Sequence, residues 1–427
     1  YAILASAMPR AGGSYVFASR GLHPYLGFVA SFSQWFGLCI AIGVISYVIV
    51  PFLREVALAM TWTNVANELG KPSIRLILSM ALLWLFVLIN IRGIKAYEKT
   101  LIPLMILMFC LGLLVIGIGF TFQHQDSIQA LSSHAQKEIA FSEGKFSWSV
   151  FLSASAVLFS SFIGFDSIAQ AGGEARDPGK LLPRAIVLTM VIVSVFYFLF
   201  CSAIYHTVPW QFVAREALIQ DVSAPGLLSY VVPATFTVWI VAGAAIALTN
   251  DLPAMLLSVS RLLFAWAEDG IFPRSVASIH PIYHTPQRAL VISGIVATVG
   301  ILGCHLAGDF FLGVDVLVIA MLFNFLLMCL TVLRLPYVNP VLANEVKVVR
   351  NRKWQSFIAL SGMGMLLLFL FIHVQRDVST AQPHWYFHST YVWLVVMVIG
   401  SLIFWKEFRK LRKKVNVSEL FKQLPRE

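Results

Sequence analysis

The sequence predicts an all-α polytopic membrane protein, and three observations carry that prediction. Hydrophobic residues make up 59% of the 427 residues, whereas charged residues make up 12%. The mean hydropathy of +0.81 implies more apolar surface than a soluble core can cover. The apolar residues also form uninterrupted runs, long enough for membrane helices and with little amphipathic period. We therefore expect a single transmembrane domain over residues 1–427.

Ten complete spans are expected between residues 27 and 405. Residues 1–8 are too few to cross a bilayer and are predicted to be part of a helix. Residues 406–427 are predicted to form a basic cytoplasmic tail. The predicted spans are 27–51, 74–91, 101–122, 148–171, 185–206, 234–266, 289–306, 314–333, 354–374 and 389–405.

The distribution of Lys and Arg predicts the orientation. Most of the 31 basic residues lie in one alternating set of loops and in the tail. By the positive-inside rule, that set is cytoplasmic, and the loop at 123–147 lies on the opposite side. The net charge of +10 is explained in this way, so we expect the lipid bilayer and no nucleic acid as a partner.

The segment 148–184, WSVFLSASAVLFSSFIGFDSIAQAGGEARDPGKLLPR, begins as a span and ends as a charged loop. Ser160, Ser161 and Gly164 interrupt its apolar run, and Asp166 places a carboxylate at membrane depth. Unwound backbone is tolerated there only where it faces protein, water or a ligand, as in the broken helices of transporters. The alternative is that these small residues only let two helices pack closely.

Three stretches resemble the amino acid–polyamine–organocation permeases. FSSFIGFDSIAQAGGEARDPGKLLPRAI, from residue 159, resembles their sixth helix and the following loop. SRLLFAWAEDGIFPRSVASIHPIYHTPQRAL, at 260–290, resembles the loop after the eighth helix, and MPRAGGSYVF, at 8–17, resembles the loop after the second. The resemblance implies a leucine-transporter-like bundle of inverted repeats. From the resemblance we expect the chain to be N-terminally truncated against that family and to lack the first helix, which carries half of the family's substrate site.

The resemblance implies a secondary active transporter that moves an amino acid or related amine by alternating access, driven by protons or a counter-substrate. The alternative is a receptor or a membrane-embedded enzyme, but the sequence has no H-E-x-x-H or G-x-S-x-G motif. We expect no cofactor and no metal, and the oligomeric state stays open. The substrate-binding residues implied by the resemblance are Ser160, Ser161, Phe162, Ile163, Gly164 and Phe165.

Polar residues within the 234–266 span, Thr249, Asn250 and Asp251, are predicted to couple transport or to line a cavity. Asp251 lies roughly midway between Trp239 and Trp266, which we interpret as interfacial anchors. An acidic residue at that depth costs about 3 kcal/mol and usually faces the bundle or water. The alternatives are that neighbouring donors or Arg261 satisfy Asp251, and that Asp166 carries the proton instead.

Overall fold

The computed structural model is a bundle of helices, with no strand in the ranges that it describes: 1–134, 146–170, 172–175, 177–218, 223–228, 231–232, 234–307, 310–382 and 384–425. The all-α prediction is confirmed. The α-helices are α1 (Ala2–Ala7), α2 (Gly13–Gly21), α3 (Pro24–Ala59), α4 (Thr63–Leu69), α5 (Pro72–Ile91), α6 (Ile94–Thr121), α7 (His124–His134), α8 (Trp148–Leu158), α9 (Ser167–Gln170), α10 (Pro178–Thr207), α11 (Trp210–Glu216), α12 (Ala224–Leu228), α13 (Ala234–Glu268), α14 (Gln287–Ala307), α15 (Phe311–Val338), α16 (Pro340–Asn344), α17 (Arg352–Ser379), α18 (Ser389–Arg412) and α19 (Val417–Leu420).

Within the described ranges, ten helical segments are long and apolar enough to cross a membrane, judged by length and composition. Each overlaps one of the spans expected from the sequence, and several are longer. Helix α3 continues to Ala59 because Pro51 is accommodated inside it. Helix α13 likewise runs unbroken through Pro253. Its 35 residues extend about 50 Å, which exceeds the hydrocarbon thickness and requires tilt or emergence from the bilayer.

Helices α3 and α15 form the centre of the bundle. Of their most apolar stretches, 67% and 72% of the residues are buried, against 6% for α10. Glycines let α3 approach α14 closely: a Cβ on Gly43 would lie 2.2 Å from the carbonyl oxygen of Ala297. A Cβ on Gly300 would likewise lie 2.8 Å from the carbonyl oxygen of Ile40. Small residues at such contacts are the usual means of helix packing in membranes.

The short helix α2 is buried along its whole length and is fixed to the end of α13. The Arg20 guanidinium pairs with the Asp269 carboxylate, with Nη1–Oδ2 at 2.5 Å and Nη2–Oδ1 at 3.0 Å. The Tyr15 hydroxyl donates to Asp269 Oδ2 at 2.5 Å. Burial, with the charge of Asp269, raises the pKa of Tyr15 well above its usual value, so the phenol stays a donor. Burial opposes the charge of Arg20, but Asp269 and Tyr15 together outweigh that effect and raise the pKa of Arg20.

The end of the tail folds back onto α2. Arg20 Nε donates to the backbone oxygen of Gln423 at 3.2 Å, and the guanidinium lies 4.9 Å from the ring centroid of Phe421. Asn339 Nδ2, after α15, donates to the backbone oxygen of Lys422 at 3.0 Å. The tail therefore packs against α2 and against the end of α15, on one face of the bundle.

Candidate functional site

The span that contains Gly164 is broken. Helix α8 ends at Leu158, a 3-10 turn follows at Phe159–Phe162, and α9 begins at Ser167. Between them Ile163 is extended, with φ −71° and ψ 137°. Gly164 has a φ of +134°, which residues with a side chain rarely adopt. A Cβ at Gly164 would meet no atom within 4 Å, so the turn opens onto free space.

Side chains satisfy part of the backbone that the break releases. The Gly164 N–H donates to Asp166 Oδ1 at 3.0 Å. The Ser161 carbonyl accepts a hydrogen bond of 2.8 Å from the hydroxyl of Tyr197 in α10. Sequence reasoning missed Tyr197. The available signal was a phenol within an otherwise apolar span, where a buried hydroxyl needs a partner.

The aromatic side chains of the break pack in two directions. Phe165 lies against Phe325 of α15, with ring centroids 5.2 Å apart, and Phe159 lies 5.7 Å from the same ring. Phe162 instead packs edge to face on Tyr197 at 5.4 Å. Among the six residues implied as substrate contacts, Ser161 and Gly164 are exposed and the other four are half-buried.

Asp166 lies in a buried polar group that we call the Asp166 cluster: Ser14, Gln34, Asp166 and Gln170. All four side chains are fully buried. Gln34 Nε2 of α3 donates to Asp166 Oδ2, and Ser14 Oγ of α2 donates to Gln34 Oε1. Gln170 Nε2 of α9 lies 3.3 Å from Gln34 Oε1 and 3.5 Å from Ser14 Oγ. The cluster therefore joins two of the motifs recognised in the sequence, through α3.

The polar residues of α13 do not join that cluster. Thr249 Oγ1 donates to the Ala245 carbonyl of its own helix at 2.7 Å. Asn250 is 8% exposed, and its Oδ1 has no hydrogen-bond partner among the described residues. Asp251 is exposed and lies within electrostatic range of Tyr197. Tyr197 is thus near both the broken segment and Asp251.

The membrane depth of Asp251 was predicted by taking Trp239 and Trp266 as interfacial residues. The structure shows that this interpretation is wrong for Trp266. Trp239 is 55% exposed, as expected for an interfacial residue. Trp266 is fully buried instead, because its Nε1 donates to Ser31 Oγ at 2.8 Å and its indole packs on Phe28. Trp266 therefore does not mark a membrane interface.

Residues 1–399 match the family model described as amino acid permease. This chain belongs to that family. The match confirms the resemblance seen in the sequence and, with it, a multi-pass membrane protein of the permease type. Nothing in the match favours a receptor or an enzyme.

Three curated relatives, each similar to part of the chain, are named as transporters or permeases. An uncharacterized transporter of Mycobacterium tuberculosis is 35% identical over 148 residues, which cover 34% of this chain and 32% of that protein. The low-affinity putrescine importer PlaP of Escherichia coli is 23% identical over 305 residues, 70% of this chain and 63% of PlaP. The branched-chain amino acid permease BcaP of Bacillus subtilis is 29% identical over 141 residues, 32% of this chain and 29% of BcaP. The chain thus matches less than a third of the Mycobacterium transporter and of BcaP, and less than two thirds of PlaP.

Proposed function

We propose that the protein is a secondary active transporter that carries an amino acid or a related amine across the cytoplasmic membrane by alternating access. The open turn at Gly164, within a membrane span of a permease-family chain, is the observation that carries the proposal. Broken spans of this kind present backbone groups to a substrate at membrane depth.

The substrate ammonium meets the carbonyls at residues 160–163, of which those of Ser160 and Ser161 also accept one hydrogen bond each within the protein. The C-terminal end of α8 gives these carbonyls partial negative charge. Ser161 and Gly164 are accessible there, whereas Phe162 and Phe165 flank the turn and are half-buried. The names of PlaP and BcaP specify putrescine and branched-chain amino acids, and both kinds of substrate carry an ammonium group.

Transport is coupled to protons or to a counter-substrate. We propose Asp166 as the principal proton carrier, because its carboxylate is buried and receives a hydrogen bond from the turn itself. Thr249, Asn250 and Asp251 remain the second candidate group. Asp251 lies within electrostatic range of Tyr197, which bonds the Ser161 carbonyl.

The experiment compares Gly164→Leu with the matched variant Gly303→Leu. At both positions an added Cβ meets open space, but Gly303 lies in the regular helix α14. Uptake of radiolabelled putrescine and leucine into proteoliposomes is measured for the full-length protein and both variants. We expect Gly164→Leu to abolish uptake with membrane insertion intact, because a side chain is strained at φ +134° and fills the turn.

Gly303→Leu is expected to transport normally. Undiminished substrate affinity in Gly164→Leu contradicts the proposed site and leaves Gly164 a packing residue. Absence of uptake by the parent protein for every amino acid and amine tested contradicts the proposed function itself.

A further inference from the structure

The hydrogen bonds of the Asp166 cluster all run in one direction. Ser14 donates to Gln34 Oε1, and Gln34 Nε2 donates in turn to Asp166 Oδ2. Gln170 Nε2 is directed at the same Oε1, at 3.3 Å. The second carboxylate oxygen, Oδ1, receives the Gly164 N–H at 3.0 Å. Such a chain of donors suits an ionised Asp166, which only accepts hydrogen bonds.

One acceptor in this arrangement has no partner. Gln170 Oε1 is buried and receives no hydrogen bond from any residue that the structure describes. Buried polar atoms are normally paired, so an isolated amide oxygen beside a paired carboxylate requires an explanation. A second arrangement of the same side chains gives this oxygen a partner.

Protonation of Asp166 produces that second arrangement. A neutral carboxyl group has an O–H that must donate, yet the Gly164 backbone N–H faces Oδ1 and cannot reverse. The proton therefore sits on Oδ2 and faces the amide of Gln34. Rotation of that amide about its last torsion brings Oε1 to the acid and turns Nε2 towards Ser14 and Gln170. Rotation of the Gln170 amide then brings its Oε1 to Gln34 Nε2, from which it accepts a hydrogen bond.

We propose that Gln34 and Gln170 are positioning residues that relay the protonation state of Asp166 to helix α2. The inference rests on the proposed proton-coupled transport. The proton enters from one side, forms an O–H bond at Asp166 Oδ2 and leaves to the other side as that bond breaks, while the two amides only rotate. Each protonation state of the Asp166 carboxyl group thereby has its own arrangement of the two amide side chains.

Close packing carries the change from Gln170 to α2. A Cβ placed on Gly13 would lie 2.7, 2.8 and 2.9 Å from Oε1, Cδ and Nε2 of Gln170. The amide thus lies directly against the first turn of α2, and its rotation changes that contact. Tyr15, in the same first turn, and Arg20, near the other end of α2, both hold the helix to Asp269 at the end of α13. The relay therefore links the broken span to the Arg20–Asp269 pair at the end of α13.

Few titratable groups surround Asp166 in the described part of the chain. The phenol of Tyr1 lies within electrostatic range, and its oxygen accepts from Asn324 Nδ2 of α15 at 2.7 Å. From α2, α3 and α9 the facing groups are Ser14, Gln34 and Gln170, which do not titrate. On α10 and α13, Tyr197 and Asp251 are the titratable groups near the break, and Tyr197 faces Ser161. Arg10 and Arg20 carry the positive charges beside α2.

The test is a spin label on Ala11, a half-buried residue just before α2. Ala11→Cys is introduced into the cysteine-free full-length protein, and the nitroxide line shape is recorded in proteoliposomes at about pH 5 and about pH 8. We expect two mobility components whose ratio changes about fivefold or more between these conditions. Asp166→Asn and Gln34→Leu are each expected to abolish the change.

The control is Gln355→Leu, which removes a buried amide that bonds Arg352 and Val349, away from the cluster. This variant should retain the pH-dependent change of the line shape.

The outcomes separate the relay from the transport function. Loss of the pH response in Asp166→Asn with full retention in Gln34→Leu overturns the relay and leaves the carrier role of Asp166 intact. A response that requires both residues in a protein without uptake supports the relay and rejects the proposed transport. A parent protein without a pH response overturns the relay. Gln170→Met serves as the second variant if Gln34→Leu does not fold, and it should also lose the response.

Discussion

The hydroxyl of Tyr197 donates a hydrogen bond of 2.8 Å to the backbone carbonyl of Ser161, in the middle of the broken span. The two residues come from different spans, and the bond replaces a helical hydrogen bond that the break removes. Phe162 packs on the same phenol ring at 5.4 Å. Tyr197 therefore holds the carbonyl of Ser161 in a fixed direction beside the open turn.

Tyr197→Phe should weaken substrate binding with little effect on folding. The variant keeps the ring and removes the hydroxyl, so the Ser161 carbonyl is no longer fixed. We expect the KM for uptake to rise about tenfold, equivalent to one lost hydrogen bond of about 1.4 kcal/mol. The control Tyr205→Phe removes a hydroxyl from an exposed tyrosine of the same helix and should leave KM unchanged. A lower melting temperature with an unchanged KM would assign Tyr197 to packing alone.

The Arg20–Asp269 pair should be important for stability. Its side chains are 1% and 6% exposed, and removal of one partner leaves a buried charge without compensation. We expect Asp269→Asn to lower the free energy of unfolding by about 3 to 5 kcal/mol, measured by thermal unfolding in detergent. Glu68→Gln breaks the exposed Lys71–Glu68 pair and should cost less than about 1 kcal/mol. Equal effects of the two substitutions would contradict a special role for the buried pair.

Sequence reasoning located the spans and the position of the break because both depend on local composition. Long apolar runs predict helices, and the Gly, Ser and Asp residues of 160–166 mark where one of them unwinds. Trp266 was misplaced because the same amphipathic side chain suits either an interface or a core with one hydrogen-bond acceptor. Only tertiary packing decides between those two environments.

The Asp166 cluster was beyond sequence reasoning for a related reason. Gln34 was recognisable as a polar residue within a span, but its partners come from α2 and α9, far away in the chain. Ser14 and Gln170 belong to quoted motifs, yet nothing in the spacing of the motifs shows that these side chains meet. The pairing of Arg20 with Asp269, 249 residues apart, is likewise a product of the fold.

The orientation predicted from the basic loops can be tested with introduced cysteines. Ser133 precedes residues 135–145, which lie outside the described ranges, and Ser418 lies in the basic tail. In an otherwise cysteine-free protein in intact cells, an impermeant thiol reagent should label Ser133→Cys from outside. Ser418→Cys should react only after permeabilisation, because the positive-inside rule predicts that the basic segments are cytoplasmic. Equal labelling of both from outside rejects this topology.

Two carboxylates compete for the coupling role, and their surroundings differ. Asp251 was the first candidate from the sequence, on the basis of its depth in the long span. In the fold it is exposed on α13, whereas Asp166 is fully buried and bonded to the turn and to Gln34. A carboxylate whose partners belong to the site itself can change substrate binding when it is protonated, because the same groups hold the turn. Asp251 instead lies within electrostatic range of Tyr197, whose hydroxyl bonds the Ser161 carbonyl of the turn.

Asp166→Asn should therefore separate coupling from exchange. The amide keeps the size of the carboxyl group and cannot carry a proton, so accumulation driven by an imposed pH gradient should fall to the level of empty liposomes. Counter-flow exchange of labelled substrate should survive, because it needs no net proton movement. Asp251→Asn should retain most of the gradient-driven accumulation. If Asp251→Asn abolishes that accumulation while Asp166→Asn retains it, the coupling role belongs to Asp251; if both variants accumulate substrate normally, neither carboxylate carries the proton.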